Sequence, residues 1–469
     1  MNLKFRLTLM SFFQFFVWGA WLITISTYFF SSEMGKAGDA GVKFGAIFST
    51  LALSSIFMPA LTGIIADKWI NAEKLYGILH ILYGLVLFYV PQVHDADTMY
   101  YVIFAAMICY MPTISLSNSI AYTILKREKY DVVKVFPPIR VWGTIGFIVA
   151  MWCTNLSGSK ANSNQFLIGA VAAIVLGIFS FTLPKCPPPK SISKDAGIIE
   201  QLGLNAFKLF GSYKMALFFI FSMFLGAALQ LTNMYGDSFL SDFQKVPGYF
   251  NSFVVRYSTI IMSISQMSET LFILTIPFFL KRFGIKKVML MAMLAWVLRF
   301  GFFAYGNPAD GLWMIILSCI VYGMAFDFFN ISGSLFVETT TDTSIRSSAQ
   351  GLFMMMTNGI GAFLGSKISG FIIDKYYTLK FSDINSLLSY LKTDADNPAV
   401  KEILYKNEVL ANGALKMPVF IKEWHPIWLS FAIYALIVAV LFTVFFKHKH
   451  VPSDREVLMA ETDTKIPLH

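Results

Sequence analysis

The dominant pattern along this sequence is a repetition of apolar stretches, each about as long as a membrane is thick. A helix needs roughly 20 apolar residues to cross the hydrocarbon core of a bilayer, and about twelve segments meet this length. We place the predicted spans at residues 6–31, 43–66, 74–92, 98–125, 138–156, 165–184, 214–240, 252–280, 287–305, 311–337, 347–377 and 425–447. The pattern predicts an all-α polytopic membrane protein with twelve transmembrane helices.

The composition agrees with this prediction. Of the 469 residues, 56% are hydrophobic and 14% are charged, whereas a soluble domain carries about 25% charged residues. The formal net charge of +9 does not indicate nucleic-acid binding, because the basic residues lie between apolar stretches rather than on one face. The four cysteines have no metal-like spacing, so we expect neither a metal nor a cofactor.

Basic residues in the loops predict the orientation. Lys68, Lys126 and Lys286 belong to loops on one side, whereas the short loops 94–99 and 306–311 on the other side carry almost no basic residue. Because cytoplasmic loops are enriched in lysine and arginine, both termini are predicted to lie in the cytoplasm. The protein is then expected in a bacterial inner membrane as a multi-pass chain.

One long polar interruption divides the spans into two groups of six. We predict a first six-helix half at 1–185, a central cytoplasmic loop at 186–213 that contains a helix lying along the membrane surface, and a second half at 214–450. A cytoplasmic tail at 451–469 follows. The second half contains a polar insert at 378–424, which is expected outside the membrane as a short helical cap.

The two predicted halves contain similar loops at equivalent positions. GIIADKWINAEK (63–74) follows the second span, and PFFLKRFGIKK (277–287) follows the eighth. Both resemble, in degenerate form, the G-x-x-x-D-[RK]-x-G-[RK]-[RK] loop of the major facilitator superfamily. This resemblance implies the major facilitator fold, in which two pseudo-symmetric six-helix halves enclose a site near the middle of the bilayer.

Ionisable and amide side chains inside the spans are the candidate functional residues, because a charge within a bilayer costs about 2.5 kcal/mol or more. In VYGMAFDFFNISGSLFVE (321–338), a carboxylate interrupts an aromatic stretch. Similar polar positions recur at helical spacing in three other spans. The candidates are Arg140, Thr144, Phe147, Gln230, Asn233, Gln266, Glu269, Tyr322, Phe326 and Asp327.

Simpler interpretations remain open for some of these residues. Arg140 could extend from a helix end to the membrane interface, and the amides could form hydrogen bonds between helices. Arg299, near the outer end of the ninth span, is expected to reach the interface in the same way. Asn358 and Gln350, in the eleventh span, suit packing as well as binding.

The chemistry of the set suits a small polar ligand that carries a sugar and a planar base. Carboxylates accept hydrogen bonds from hydroxyl groups, amides pair with the edge of a heterocycle, and aromatic faces stack on flat rings. Burial also favours the protonated form of a carboxylate. Asp327 or Glu269 is therefore a candidate for coupling to a proton gradient.

Five long motifs resemble one family closely. FMPALTGIIADKW, FPPIRVWGTIGFIVAMW, FFIFSMFLGAALQLTNM, IIMSISQMSETLFILTIPFFL and VYGMAFDFFNISGSLFVE are similar to segments of the bacterial nucleoside:proton symporters, the nucleoside permease type of the major facilitator superfamily. The resemblance covers nearly the whole chain in order. The insert at 378–424 is longer than this family's pattern suggests.

The resemblance implies proton-driven import of purine and pyrimidine nucleosides, with the ten candidates forming the pocket. Phe147 and Phe326 would stack on the base, and the amides together with Glu269 would form hydrogen bonds with the polar groups of the nucleoside. Asp327 is our first choice for contacting the ribose and coupling the proton, and Glu269 is the second. The expected partners are nucleosides, protons and lipids, without nucleic acid, and a single chain is expected to function as a monomer.

Other functions stay open from the sequence. The same fold could carry a different solute, such as a single nucleoside like xanthosine or a sugar, or it could serve as a nucleoside sensor that does not transport. An enzyme is not expected, because the sequence contains no His/Cys/Asp cluster with metal-ligand spacing and no Ser/His/Asp arrangement.

Overall fold

The structure, a computed structural model, describes residues 2–188, 204–341, 346–405 and 409–447. Its first half consists of helices joined by short loops. These helices are α1 (Leu3–Gly19), α2 (Ile25–Ser31), α3 (Ala40–Lys68), α4 (Ala72–Tyr89), α5 (Ala96–Arg127), α6 (Val132–Leu156) and α7 (Asn164–Ser180), with short 3₁₀ turns at Glu33–Lys36 and Val90–Gln92.

The second half begins after a 3₁₀ helix at Leu204–Gly211 and also contains a small sheet. Its helices are α8 (Tyr213–Asp242), α9 (Phe253–Arg256), α10 (Ser258–Phe283), α11 (Ile285–Tyr305), α12 (Leu312–Thr340), α13 (Arg346–Met354), α14 (Ala362–Tyr377), α15 (Ile384–Leu391), α16 (Pro398–Tyr405) and α17 (Trp424–Phe445). The two strands of the sheet are β1 (Thr378–Asp383) and β2 (Ala414–Lys422). A π-helical segment covers Met355–Gly361, and 3₁₀ turns cover Phe243–Lys245 and Pro247–Tyr249.

The described helices account for the twelve predicted spans. Nine of the described helices are long and apolar enough to cross a membrane. The other three spans are irregular or short: the first is divided between α1 and α2, the sixth is the 17-residue α7, and the eleventh is α13 and α14 joined through the π segment. The fold-class prediction, an all-α bundle of two six-helix halves, is confirmed. The predicted surface helix is described only at Leu204–Gly211, and the tail at 451–469 lies outside the described residues.

The break between α1 and α2 is stabilised by side chains from other helices. Within a membrane, a backbone group released from a helix needs another hydrogen-bond partner. The Thr154 hydroxyl donates to the carbonyl of Ala20 at 2.7 Å, and the Trp21 indole donates to Tyr83 Oη at 2.7 Å. Thr24 donates to Gln165 Oε1, also at 2.7 Å. The irregular first span is thus a hydrogen-bonded part of the fold.

The insert at 378–424 is more than the predicted helical cap. It contains α15 and α16, but β1 and β2 pair as an antiparallel hairpin, with Phe381 opposite Val419. The Nζ of Lys422 lies 3.1 Å from the centre of the Phe30 ring, so the insert contacts the first half. Burial lowers the pKa of Lys422 to about 7, although the nearby carboxylate of Asp242 opposes that shift.

The two halves are joined by polar contacts at one end of the bundle. We call the end that carries 378–424 the insert end, and the end at which α1 begins and α17 finishes the termini end. Near the insert end, Thr27 Oγ1 donates to Asp237 Oδ2 at 2.5 Å, and the Trp152 indole donates to Ser263 Oγ at 2.9 Å. The backbone N–H of Gly41, at the start of α3, donates to the Asp374 carboxylate at 2.9 Å.

Glycines bring the two backbones together at the same end. A Cβ atom added to Gly41 or Gly45 on α3 would overlap atoms of α14, and one added to Gly370 on α14 would overlap the carbonyl oxygen of Gly41. Such close approach requires residues without a side chain. We call Gly41, Gly45 and Gly370 the glycine seam.

Toward the termini end, the side chains of α3 become exposed. Phe44 and Phe48 in its first half are fully buried, whereas Phe57 and Leu61 in its second half are 55% and 46% exposed. A Cβ atom added to Gly63 would meet no atom within 4 Å. The halves are therefore in contact at the insert end and apart at the termini end.

The substitution Gly370→Val should force the seam open, because the new side chain would occupy the position of the Gly41 carbonyl. Spin labels at Tyr101 and Tyr305, both exposed near the insert end in different halves, should move apart by several ångströms in double electron–electron resonance. The matched control is Gly301→Val, since a Cβ at Gly301 meets no atom within 4 Å. Equal label distances in both variants would contradict the role of the seam.

Candidate functional site

A cavity of about 500 Å³ lies between the two halves. This volume falls within the roughly 300–1,000 Å³ of a typical small-molecule pocket, so the cavity can hold a small organic ligand. Helices of both halves line it. All ten residues predicted from the sequence are among its walls: Arg140, Thr144, Phe147, Gln230, Asn233, Gln266, Glu269, Tyr322, Phe326 and Asp327.

The wall from the first half is one stripe of α6 together with aromatic residues of α1. Arg140, Thr144 and Phe147 follow each other at helical spacing and all face the cavity. The guanidinium carbon of Arg140 lies 4.0 Å from the centre of the Phe15 ring, a cation–π contact. Phe147 meets Trp18 edge to face at 6.2 Å. Arg140 therefore belongs to the cavity and does not extend to the membrane interface.

The wall from the second half combines α8, α10 and α12. Gly323 on α12 lets this helix approach α10 closely, because a Cβ there would lie 2.6 Å from the carbonyl oxygen of Ser268. This contact places Asp327 on α12 and Glu269 on α10 along the same cavity. Asp327 is only 4% exposed.

The charged groups of the cavity act on each other across it. Glu269 interacts electrostatically with Arg140 from the opposite half and with Asp327 from its own half. Opposite charges attract and like charges repel strongly in a medium of low dielectric constant. The ionisation of Glu269 thus depends both on the separation of the halves and on the charge of Asp327.

Two buried acceptors of this wall lack hydrogen-bond partners within the described part of the chain. They are Oδ2 of Asp327 and Oε1 of Gln266. An unpaired buried polar atom costs about 1–3 kcal/mol, and native proteins keep few of them. These two oxygens are therefore free to accept hydrogen bonds from a ligand, and the oxygen of Asp327 is also free to take up a proton.

Two nearly parallel aromatic rings line the same cavity as the acceptors. Tyr322 and Phe326 lie one helical turn apart on α12, and their rings are nearly parallel, with 12° between planes and 6.3 Å between centroids. Trp296 supports Tyr322 from behind in a perpendicular arrangement at 5.9 Å. A planar base can stack on such a surface.

Sequence reasoning missed part of the lining. Trp18 faces the cavity, and its indole Nε1 is a buried donor without a partner among the described residues. The sequence contains little to mark Trp18 as a cavity residue, because tryptophan is common in apolar spans. Asn330, one helical turn after Asp327, and Asn358, for which the sequence left packing and binding open, also line the cavity. Asn358 belongs to the π-helical segment, and such segments often occur at functional sites. Gln350 instead donates to the Ser334 carbonyl at 2.7 Å and serves packing.

The expectation for Arg299 was wrong. Its side chain is fully buried and does not reach the interface. It donates to the Ser318 carbonyl at 2.7 Å and to Thr232 Oγ1 at 3.1 Å. A helix position near the end of a span does not reveal whether the side chain points outward or inward.

The described residues contain no group of three or more His, Cys, Asp or Glu side chains that could hold a metal ion. The donors and acceptors of the cavity are instead amides, one guanidinium and two carboxylates from different helices. This arrangement suits reversible binding of an organic ligand through hydrogen bonds and stacking.

Comparison with known proteins gives the family. A family model described as nucleoside H+ symporter matches residues 1–451. The xanthosine permease of Escherichia coli (strain K12) is 46% identical over 453 residues, covering 96% of this chain and 98% of the permease. The nucleoside permease NupG of the same organism is 45% identical over 452 residues, covering 96% and 97%.

A solved structure agrees with the sequence comparison. The crystal structure of nucleoside transporter NupG superposes with a TM-score of 0.81 at 45% identity, covering 96% of this chain and all of that one. The major facilitator arrangement expected from the repeated loops is therefore confirmed. This chain belongs to the nucleoside H+ symporter family.

Proposed function

We propose that this protein imports purine and pyrimidine nucleosides together with protons by alternating access to the cavity between its halves. The observation that carries this proposal is the unpaired, buried carboxylate oxygen of Asp327, next to the parallel rings of Tyr322 and Phe326. A carboxylate acceptor beside a stacking surface suits a ribose attached to a base.

The orientation of the chain in the membrane follows from the distribution of charge. Basic residues such as Lys68, Lys126 and Lys286 lie at the termini end, so the positive-inside rule places this end and both termini in the cytoplasm. The membrane is then the bacterial inner membrane, with the insert outside. In this orientation, the contact between the halves at the insert end closes the cavity toward the outside and leaves it open toward the cytoplasm.

Coupling depends on the charge of the central carboxylates. With the cavity open to the outside, protonation neutralises Asp327 or Glu269 and a nucleoside binds; the halves then rock about the site and release both inside. Reorientation with an empty, charged pocket is unfavourable, which links the two fluxes. The energy source is the proton gradient, without a further cofactor.

One chain contains the whole cavity, which supports function as a monomer in contact with lipids. All ten candidate residues come from the same polypeptide. Phe147 and Phe326 would stack on the base from opposite halves, so the ligand itself would bridge them. The amides of Gln230, Asn233 and Gln266 would pair with polar groups of the nucleoside.

A narrower specificity is the second candidate function. The identities to a xanthosine permease and to the nucleoside permease NupG differ by a single percentage point, 46% against 45%. Overall similarity therefore does not separate a broad importer from one that prefers a single nucleoside.

Uptake by cells or proteoliposomes should test the function directly. Labelled uridine and adenosine should both accumulate above the outside concentration, and a protonophore should abolish this accumulation. Unlabelled nucleosides should compete and sucrose should not. Competition by xanthosine alone would support the narrower specificity, and binding without counterflow would indicate a sensor.

The variant Asp327→Asn should lose gradient-driven accumulation but keep nucleoside counterflow, because the amide can still bind yet cannot exchange a proton. Asp310→Asn, in an exposed loop at the insert end, is the matched control and should accumulate normally. Normal accumulation by Asp327→Asn would exclude this residue as the coupling group. If Glu269→Gln then fails to accumulate, coupling belongs to Glu269.

The variant Phe326→Ala should weaken nucleoside binding while the protein remains folded and inserted. Base–aromatic stacking contributes about 1–3 kcal/mol, which corresponds to a Kd raised about 5- to 150-fold. Isothermal titration calorimetry on the purified protein would measure this change. Phe278→Ala is the control, because Phe278 is 59% exposed and is not part of the cavity lining; equal affinities in the two variants would contradict stacking on Phe326.

A further inference from the structure

Arg299 is a buried cation without a carboxylate partner in the described part of the chain. It lies on α11 with 0% exposure, and no ion pair joins it to an acidic residue there. Its Nη2 atom also lacks a hydrogen-bond partner among the described residues. A charge within a membrane protein is costly and therefore marks a functional role by default.

The guanidinium connects the three helices that form the second-half wall of the cavity. Its Nε donates to Thr232 Oγ1 on α8 at 3.1 Å, and its Nη1 donates to Ser265 Oγ on α10 at 3.3 Å and to the Ser318 carbonyl on α12 at 2.7 Å. Thr232 directly precedes Asn233, and Ser265 directly precedes Gln266. Displacement of Arg299 would therefore disturb the residues that line the cavity.

Arg299 also contacts Tyr322 directly. Its guanidinium carbon lies 4.5 Å from the centre of the Tyr322 ring and 5.0 Å from that of Phe303. Tyr322 in turn lines the same cavity as Glu269 and Asp327. A planar guanidinium favours such stacked contacts, which an ammonium group does not reproduce.

From these contacts we propose that Arg299 is a positioning residue of the nucleoside site, and that its fixed positive charge behind Tyr322 stabilises the ionised form of the Glu269–Asp327 pair. The inference rests on the proposed function, because it assigns Arg299 to the coupling step. The positioning role requires the planar guanidinium group, which donates hydrogen bonds to three helices. The effect on the carboxylates requires only the positive charge.

Among the described residues, two other ionisable side chains line the cavity with the carboxylate pair. They are Arg140 on α6, from the opposite half, and Tyr322 on α12. Next to Arg299 itself lies the thiol of Cys319. Arg140 is on the half opposite the carboxylates, whereas Arg299 is on the same half and moves with them. Arg299 is thus a positive charge that stays on the side of the pair when the halves rock.

The test compares Arg299→Lys with Arg299→Gln in proteoliposomes, with two readouts. The first readout is the midpoint, the alkaline pH at which nucleoside accumulation falls to half of its maximum. The second readout is the KM of counterflow. In Arg299→Gln the loss of charge should move the midpoint to higher pH by about 0.5–1 unit, less than the 1–3 units expected for a charge in direct contact. Arg299→Lys keeps the charge, so its midpoint should stay near that of the unmodified protein.

The KM should separate positioning from charge. Both variants lose the planar fork, so both should raise the KM of counterflow, by about tenfold for the loss of roughly 1.4 kcal/mol. Thr232→Val removes one hydrogen bond to Arg299 while the charge remains, and it should raise the KM without moving the pH midpoint. Arg282→Gln, at the exposed end of α10, removes a positive charge elsewhere and should change neither.

Several outcomes would overturn the proposal. An unshifted midpoint in Arg299→Gln would remove the charge role, as would equal shifts in the Lys and Gln variants. An unchanged KM in Thr232→Val and Arg299→Lys would remove the positioning role. If Arg299→Gln fails to insert into the membrane, Arg299→Met can be used for the same measurements, because the apolar methionine side chain leaves no buried amide unpaired. Failure of the unmodified protein to accumulate nucleosides would instead refute the proposed function.

Discussion

The cost of keeping ionisable groups away from water governs the interior of this bundle. Asp327, Glu269, Arg140 and Arg299 all lie within the spans, yet none of them forms a direct ion pair in the part of the chain that the structure describes. Arg140 rests on an aromatic ring and Arg299 on hydroxyl and carbonyl groups. Charged groups held in this way remain able to interact with a ligand or a proton, because a tightly closed buried ion pair would be costly to separate.

The same constraint explains why the polar contacts between the halves are placed at the insert end. Thr27 with Asp237, and the start of α3 with Asp374, are joined across the interface. Each of these contacts satisfies a carboxylate with donors from hydroxyl or backbone groups. Such bonds can exchange with water when the halves separate, so closing and opening at this end need not differ much in free energy.

The sequence was sufficient for the fold and for most of the polar side chains that line the cavity, and the reason is physical. Polar side chains at helical spacing within apolar spans face the interior as a rule, so Gln230, Asn233 and Asp327 could be predicted as candidates for the cavity without a structure. Trp18 could not, because an aromatic residue suits lipid, core and cavity equally. The orientation of Arg299 and the hairpin in the insert depend on tertiary contacts that spacing along one helix does not encode.

The glycine seam has a consequence for energy conservation. Where Gly41 and Gly45 meet Gly370, backbone touches backbone and no side chain separates them. Such a contact leaves no room for a continuous file of water molecules, along which hydrogen ions could hop unaccompanied. The seam therefore keeps water, and with it a path for hydrogen ions, out of this part of the interface between the halves.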